Sequence, residues 1–250
     1  MRHFRVDLHI HTLLSPCGEL SMSPAAIVAC ARAAGLDAIA VCDHNSTLQT
    51  PVVRELGRRA GLTVFFGAEL TTREEAHLVA LLPDRAAAEA LQTWIDARIE
   101  RIPNRPEKLG DQVWVDERER IAGEVAWYLN APLRCSAEQA AAEVVRLGGL
   151  VVPAHVERPA NSLIGQLGFL PPGFPAAALE YNHPDRFAAL CATYPDLSRY
   201  TAYTASDAHF PEQIAAHPSR LTAESCTFGE LRRAFAREAG RRIETIHATP

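Results

Sequence analysis

The sequence predicts an α/β fold of alternating parallel strands and helices closed as a barrel. Three observations carry this. Segments rich in Val, Ile and Leu, each of strand length, end in polar clusters and are followed by amphipathic stretches. Glycines stand where the helices must stop. The length, 250 residues, is what one barrel of strands and helices commonly takes.

The first strand is read from Phe4 to Ile10. Ser23 then supplies an N-cap and Pro24 a first-turn proline for a helix through Ala34, stopped by Gly35. Leu36 to Cys42 is the second strand, and a second helix runs from Pro51 to Ala60 and closes at Gly61. The apolar run Leu62 to Leu70 is the third strand and His77 to Leu82 the fourth. After Pro83 the rhythm breaks. A helix from Arg85 to Arg101 leads past Pro103 and Pro106 into the charged stretch Asp116 to Arg120, so residues 84–134 are read as a mainly helical insertion within a single domain, 1–250. Trp94, Trp114 and Trp127 all fall inside it and predict a small apolar core there. Ser136 and Gln139 then form a capping box for a helix that Gly148 and Gly149 end. Strands follow at Leu150 to Ala154, Ala177 to Tyr181 and Tyr200 to Ala205. A last helix starts at Thr227, with Glu230 completing another capping box, and Arg242 to His247 is a candidate closing strand.

Composition excludes several classes. With 48% hydrophobic and 22% charged residues the chain has the makeup of a folded globular protein. Its 25 Lys+Arg against 30 Asp+Glu give a net charge of −5, which is no generally basic nucleic-acid coat. No apolar run reaches the roughly 18 residues of a membrane span. The N-terminus lacks the apolar core of a signal peptide, so a cytoplasmic protein with no membrane partner is expected. The six cysteines form no CxxC pair, which indicates neither a zinc knuckle nor a disulfide framework. Lys108 is the single lysine, and a lysine-nucleophile aldolase is not expected.

The chemistry collects at strand ends. Asp7, His9 and His11 close the first strand, Asp43 and His44 the second, and Glu69 the third. His77 lies on the fourth, His155 ends the fifth, Glu180 the sixth, and Asp207 and His209 follow the seventh. In a parallel barrel all these ends open on one face. Alternation along a strand lets His9 and His11 point the same way, and imidazole with carboxylate suits zinc, manganese or iron. A carboxylate such as Glu69 can bridge two cations about 3.5–4 Å apart, the spacing that suits in-line phosphoryl displacement. Each element also has a plainer explanation: the HxH pair can be structural, His77 a satisfied core histidine, and Asp43 with His44 a helix cap. Number and placement together favour a metal centre, because unpaired buried polar groups are costly. His3, His217 and His247 read as surface residues, and His183 as a surface residue or a substrate contact.

These residues have a familiar order. Asp7-Leu8-His9-Ile10-His11-Thr12, Asp43-His44-Asn45, Gly67-Ala68-Glu69, His77, Pro153-Ala154-His155 and Ser206-Asp207-Ala208-His209 resemble the four-motif signature of the PHP (polymerase and histidinol phosphatase) family. The resemblance implies a distorted seven-stranded β/α barrel, two or three divalent metal ions (Zn, Mn or Fe) and phosphoester hydrolysis. It would place His9, His11, Glu69 and Asp207 on one ion, Glu69, His77 and His155 on a second, and His44 with His209 on a third. Family members usually add an acidic ligand about five positions after the second histidine, where this chain has Pro16. Cys17 as a thiolate or Glu19 from a shifted loop could take over, or Cys17 is a bystander.

The expected function is hydrolysis of a small phosphomonoester, a nucleotide, sugar phosphate or amino-alcohol phosphate, by attack of a metal-bound hydroxide. Asp207 would be ligand and proton acceptor, and His209 a donor to the leaving oxygen. Arg158 would be a bidentate phosphate clamp or, alternatively, a salt-bridge partner of Glu157 or another acid. The insertion and the loop from Asn161 to Phe174 would form the pocket rim. The alternatives are a nuclease acting on oligonucleotide ends, a non-catalytic metal-binding module, and C–N bond hydrolysis. A nuclease would need a positive channel, and Arg58-Arg59 and Arg232-Arg233 read as solvated helix faces. A small phosphorylated substrate is therefore the expected partner, and extended nucleic acid is not.

Overall fold

In the computed structural model, which describes residues 1–246, the first four apolar runs become strands as their composition dictates. β1 (Arg2–Ile10) is followed by α1 (Pro24–Ala33), β2 (Ala38–Val41), α2 (Thr50–Arg59), β3 (Thr63–Thr71) and β4 (His77–Leu82). Ser23 caps α1 by accepting the Ala26 N–H. Segment 84–134 holds α3 (Arg85–Asp96), the single turn α4 (Pro106–Leu109) and a hairpin of β5 (Val113–Val115) and β6 (Ile121–Glu124). The first helix of that segment ends at Asp96, short of Arg101, and the strand hairpin replaces the expected helical content. Trp94, Trp114 and Trp127 pack onto the same apolar cluster as Phe66, Leu78 and Leu91. They extend the main core and form none of their own.

α5 (Ala137–Arg146) starts at the capping box of Ser136 and Gln139 and leads to β7 (Leu150–Pro153). Then come α6 (Leu163–Leu167), β8 (Leu179–Tyr181), α7 (Pro184–Thr193), β9 (Ala202–Thr204), β10 (Ser219–Ala223), α8 (Phe228–Phe235) and β11 (Arg242–Thr245). His247, the expected end of the last strand, lies outside the described residues.

Seven strands form a curled sheet in the order β11-β10-β1-β2-β3-β4-β7, and β8 pairs in parallel with β9 beside it. β1, β2 and β3 are parallel, but β4 runs antiparallel to both β3 and β7, and β10 antiparallel to β1. The expected all-parallel order fails at β4 because residues 72–76 are too few for a crossover. A parallel return takes a dozen residues or more, whereas a short turn makes a hairpin. The reversal places the start of β4 beside the end of β3, with His77 opposite Thr71. A histidine at the beginning of its strand thus reaches the same sheet end as residues that finish theirs.

Alternation divides the core. Phe4, Val6, Leu8, Ala40, Val79, Val152 and Tyr203 meet on the inner face with Leu231 and Phe235 of α8. Ile39 and Val41 face outward against α1 and Val53 of α2, and Ile10 joins them past the register shift that β1 makes against β2 between Asp7 and Ile10. Thr227 caps α8, but Glu230 does not close the expected box. Its carboxylate accepts from the Glu224 N–H and from Arg241 instead, tying α8 to the sheet edge. Among the described residues no helix is long and apolar enough to cross a membrane.

Candidate metal centre

The end of β1 is buried, and His9 on it and His11 just beyond it are fully enclosed. Their Nδ1 atoms are occupied. His9 Nδ1 lies 3.0 Å from each carboxylate oxygen of Glu180 on β8. His11 Nδ1 lies 3.0 Å from Ser15 Oγ, which itself donates to Asp43 Oδ1 at 2.8 Å and so must accept from the imidazole. Each ring, when neutral, therefore carries its lone pair on Nε2, and the two Nε2 atoms are 3.2 Å apart. They face carboxylate oxygens too: Asp207 Oδ1 lies 3.1 Å from His11 Nε2, and Glu69 Oε2 lies 3.4 Å from it. Lone pairs converging on carboxylates at these distances repel unless a cation sits among them, and imidazole with carboxylate is the donor set of a divalent transition metal. The residues fit the ions that the sequence implied.

Glu69 is the hub. Its Oε2 lies 3.0 Å from His44 Nδ1, and its Oε1 lies 3.0 Å from His77 Nδ1 and 3.2 Å from His155 Nε2. Three sets of donors cluster within reach of a common ion: His9, His11, Glu69 and Asp207; His44, Glu69 and His77; and His11, His44 and His209. His209 stacks on His11 with centroids 4.2 Å apart, and its Nδ1 lies 2.7 Å from the Asp207 carbonyl. His44 thus stands with Glu69 and His77 where His155 was expected, and His155 joins none of the three sets, approaching the centre through Glu69. His44 Nδ1 and His155 Nδ1 are buried without a hydrogen-bond partner.

Electrostatics match this crowding. Burial works against ionisation of Glu69, yet the His77, His9 and His44 rings hold it well below the usual carboxylate range. Asp207 is likewise held far down against burial, chiefly by His9. Burial depresses His11 to about 4 and His44 well below the ordinary imidazole value, which keeps their lone pairs free. His9 moves the opposite way, with burial outweighed by the Glu180, Glu69 and Asp207 charges. The backbone is also constrained here, since His155, Asp207 and Asn45 all have positive φ (31°, 53° and 44°).

Two strand-end acids have other duties. Asp7 accepts from the Ser206 and Ala215 N–H groups, and Asp43 from Thr12 and Ser15. Both hold loops under the centre. Cys17 stands on the cavity rim, 4.0 Å from Asn130 Nδ2 and in none of the donor sets; the surrounding protein and then Glu69 push its thiol up to about 12. Glu19 is exposed, accepts from Ser21, and joins no donor set either. Arg158 places Nη1 2.9 Å from Asp207 Oδ2, so its salt-bridge acid is the site's own aspartate. His183 lines the same cavity.

Sequence reasoning missed Ser15 and Arg186 and did not assign Glu180 a role. Glu180 carried a signal as a lone acid in an apolar strand. Ser15 carried one in its spacing, four residues past His11. Arg186, on the first turn of α7, gave none. With Arg158 and the centre it lines a cavity of about 440 Å³.

The fold is shared with solved structures. A lesion-specific endonuclease from Pyrococcus furiosus, PfuEndoQ, is similar over 97% of this chain and 58% of its own, with 18% identity and a TM-score of 0.72. Endonuclease Q in complex with a 27-mer duplex carrying an abasic lesion at the active site is similar over 96% of this chain and 58% of that one, at 17% identity and a TM-score of 0.72. The chain thus spans little over half the length of these endonucleases. A protein from Bifidobacterium adolescentis described as a candidate metal-dependent phosphoesterase is similar over 82% of this chain and 88% of its own, at 21% identity and a TM-score of 0.57. The endonuclease complex corrects the expectation that extended nucleic acid is no partner. That endonuclease, similar to this chain over 58% of its own length, is seen with a duplex substrate, and net charge does not decide the matter because the local field of a cleft can differ in sign from that of the whole protein. No curated protein matches the sequence. The model of the PHP domain matches residues 7–122, and this part of the chain carries a PHP domain.

Proposed function

We propose that this protein hydrolyses a phosphoester seated in the 440 Å³ cavity, with phosphomonoesters as its first substrate class. The observation that carries the reading is Glu69 standing between two sets of histidines while Arg158 reaches Asp207 at the edge of the same centre. His9, His11, Glu69 and Asp207 would hold one ion, Glu69, His77 and His155 a second, and His44 with His209 a third. When bound, the ions supply Lewis acidity and neutralise charge on the phosphate oxygens.

The chain's own residues do the rest. Arg158 is one-third exposed and its planar guanidinium suits two phosphate oxygens, so it can turn from Asp207 to the substrate. That exchange frees Asp207 Oδ2 to accept a proton from the attacking water. Water oxygen bonds to phosphorus, the bond to the leaving oxygen breaks, and that oxygen takes up a proton. His209, with Nδ1 engaged by the Asp207 carbonyl, offers Nε2 alone to the cavity, to an ion or to the leaving group. Cys17 takes no part as a ligand.

A second reading, cleavage of nucleic-acid phosphodiesters, is favoured by the likeness to the endonuclease seen on duplex DNA. The test is phosphate release from nucleotides, sugar phosphates and amino-alcohol phosphates by manganese- or zinc-loaded protein, beside cleavage of single-stranded and abasic duplex oligonucleotides. Asp207→Asn is the control. Phosphate release that vanishes in the variant supports the first reading, cleavage of the oligonucleotides alone supports the second, and neither from metal-loaded protein overturns both.

A further inference from the structure

Two arginines line the cavity, and they are not equivalent. The acids in its wall, Glu69 and Asp207, both belong to the donor sets of the metal centre. Arg158 is paired with one of them. Arg186 is exposed and, among the described residues, has no carboxylate within ion-pair distance. His183 stands beside it in the same wall.

The placement of Arg186 is built. α7 contributes no fully buried side chain, so packing alone holds it weakly. Glu157 compensates: its Oε1 accepts from the Asn182 and His183 N–H groups, both at 2.9 Å, clamping the start of the helix to the loop after β7. Tyr181 stacks on Phe187 at 4.2 Å and 5°, fixing the first turn from its other end. Glu157 and Arg158 are neighbours in the chain, so one short loop positions both arginines.

We propose that Arg186, with His183, forms a subsite for a second phosphate of the substrate, separate from the one hydrolysed. The inference rests on the phosphoesterase reading. The metal centre and Arg158 already meet the charge of the scissile phosphate. A further guanidinium without a counter-ion, held in the wall of the same cavity, matches another doubly acceptor anion. The second phosphate can come from a small bisphosphate or from the next link of a nucleic-acid strand, and both present the same oxygens to Arg186.

Matched substrates decide. kcat and KM are measured for metal-loaded wild type, Arg186→Ala and Arg186→Lys on fructose 6-phosphate against fructose 1,6-bisphosphate, and on thymidine 5′-phosphate against 5′-phosphorylated dithymidylate. Binding of each ligand is measured in parallel by calorimetry. The expected result is a fall of about tenfold in the preference for the two-phosphate member of one pair in Arg186→Ala, carried by KM, and partly restored by lysine. The affected pair identifies the source. Equal losses for both members, or no change in preference in either pair, overturn the subsite. If wild type turns over none of the four, the wider panel above decides the phosphoesterase reading and the calorimetric preferences decide the subsite: a selective loss in Arg186→Ala supports it, and its absence overturns it.

Discussion

Both carboxylate oxygens of Glu180 lie 3.0 Å from His9 Nδ1, one residue on β8 and the other on β1, and neither side chain is exposed. The contact fixes the tautomer and orientation of His9, so that Nε2 points at Glu69 and Asp207. Glu180→Ala is expected to weaken metal binding about 10–100-fold. Glu180→Gln, which keeps an acceptor, should lose less. Titration of the metal-free protein with a competing chromophoric chelator reads both, and equal affinity in all three proteins would refute the role.

Ser15 does the same for His11 through Asp43, at 3.0 and 2.8 Å. Ser15→Ala strands the buried imidazole N–H of His11 and removes one of the two donors to Asp43 Oδ1, leaving the Thr12 N–H. It should cost about 1–3 kcal/mol in chemical denaturation and lower metal affinity as well. Ser15→Thr, which keeps the hydroxyl, should recover affinity where the extra methyl fits.

Cys17 is outside every donor set, and without a metal its burial pushes the thiol up to about 12. Cys17→Ser is expected to leave the metal content per chain unchanged when measured by elemental analysis. A protein that loses one ion on this substitution would return the cysteine to the ligand set.

Glu230 accepts from the Glu224 N–H and from Arg241, and these hold its carboxyl below the ordinary value. A carboxyl with a folded-state pKa below its unfolded one adds stability above the unfolded pKa, and that stability is lost as pH falls through the folded pKa. Arg241→Ala should therefore lower the thermal midpoint at pH 7. The gap to wild type should narrow once pH drops below the ordinary carboxylate range, and a gap that stays constant with pH would sink this assignment.

Much of this was legible in the sequence, for physical reasons. β1 to β4 are runs of Val, Ile, Leu and Phe that can only be buried strands, and Ser23, Ser136 and Thr227 cap the helices they were expected to cap. The candidate ligands stood out because buried histidines and acids at successive strand ends are too costly without a partner. Direction was harder to see. Nothing in the composition of His77 to Leu82 marks it as antiparallel; only the short link from Thr71 does. β10 was missed because Ser219-Arg220-Leu221-Thr222-Ala223 has few apolar residues and gains its place by pairing with β1 and β11. The hydrogen-bond duties of Ser15, Asp43 and Glu180 depend on contacts between residues far apart in the chain, which spacing does not reveal. The exclusion of nucleic acid was drawn from whole-chain charge and from two arginine pairs read as solvated helix faces, and the likeness to an endonuclease seen on a duplex overturns it.

The central claim is that the histidines and acids gathered on Glu69 hold metal ions that the chemistry requires. Stripping the purified protein with a chelator and restoring manganese, with hydrolysis of p-nitrophenyl phosphate and bis-p-nitrophenyl phosphate followed at each stage, tests it most directly. The account predicts loss of phosphoester hydrolysis on stripping, its return with manganese in wild type, and no return in Glu69→Ala, which removes the carboxylate common to two of the donor sets. Hydrolysis that persists in fully stripped protein, or that manganese restores equally in Glu69→Ala, would contradict it.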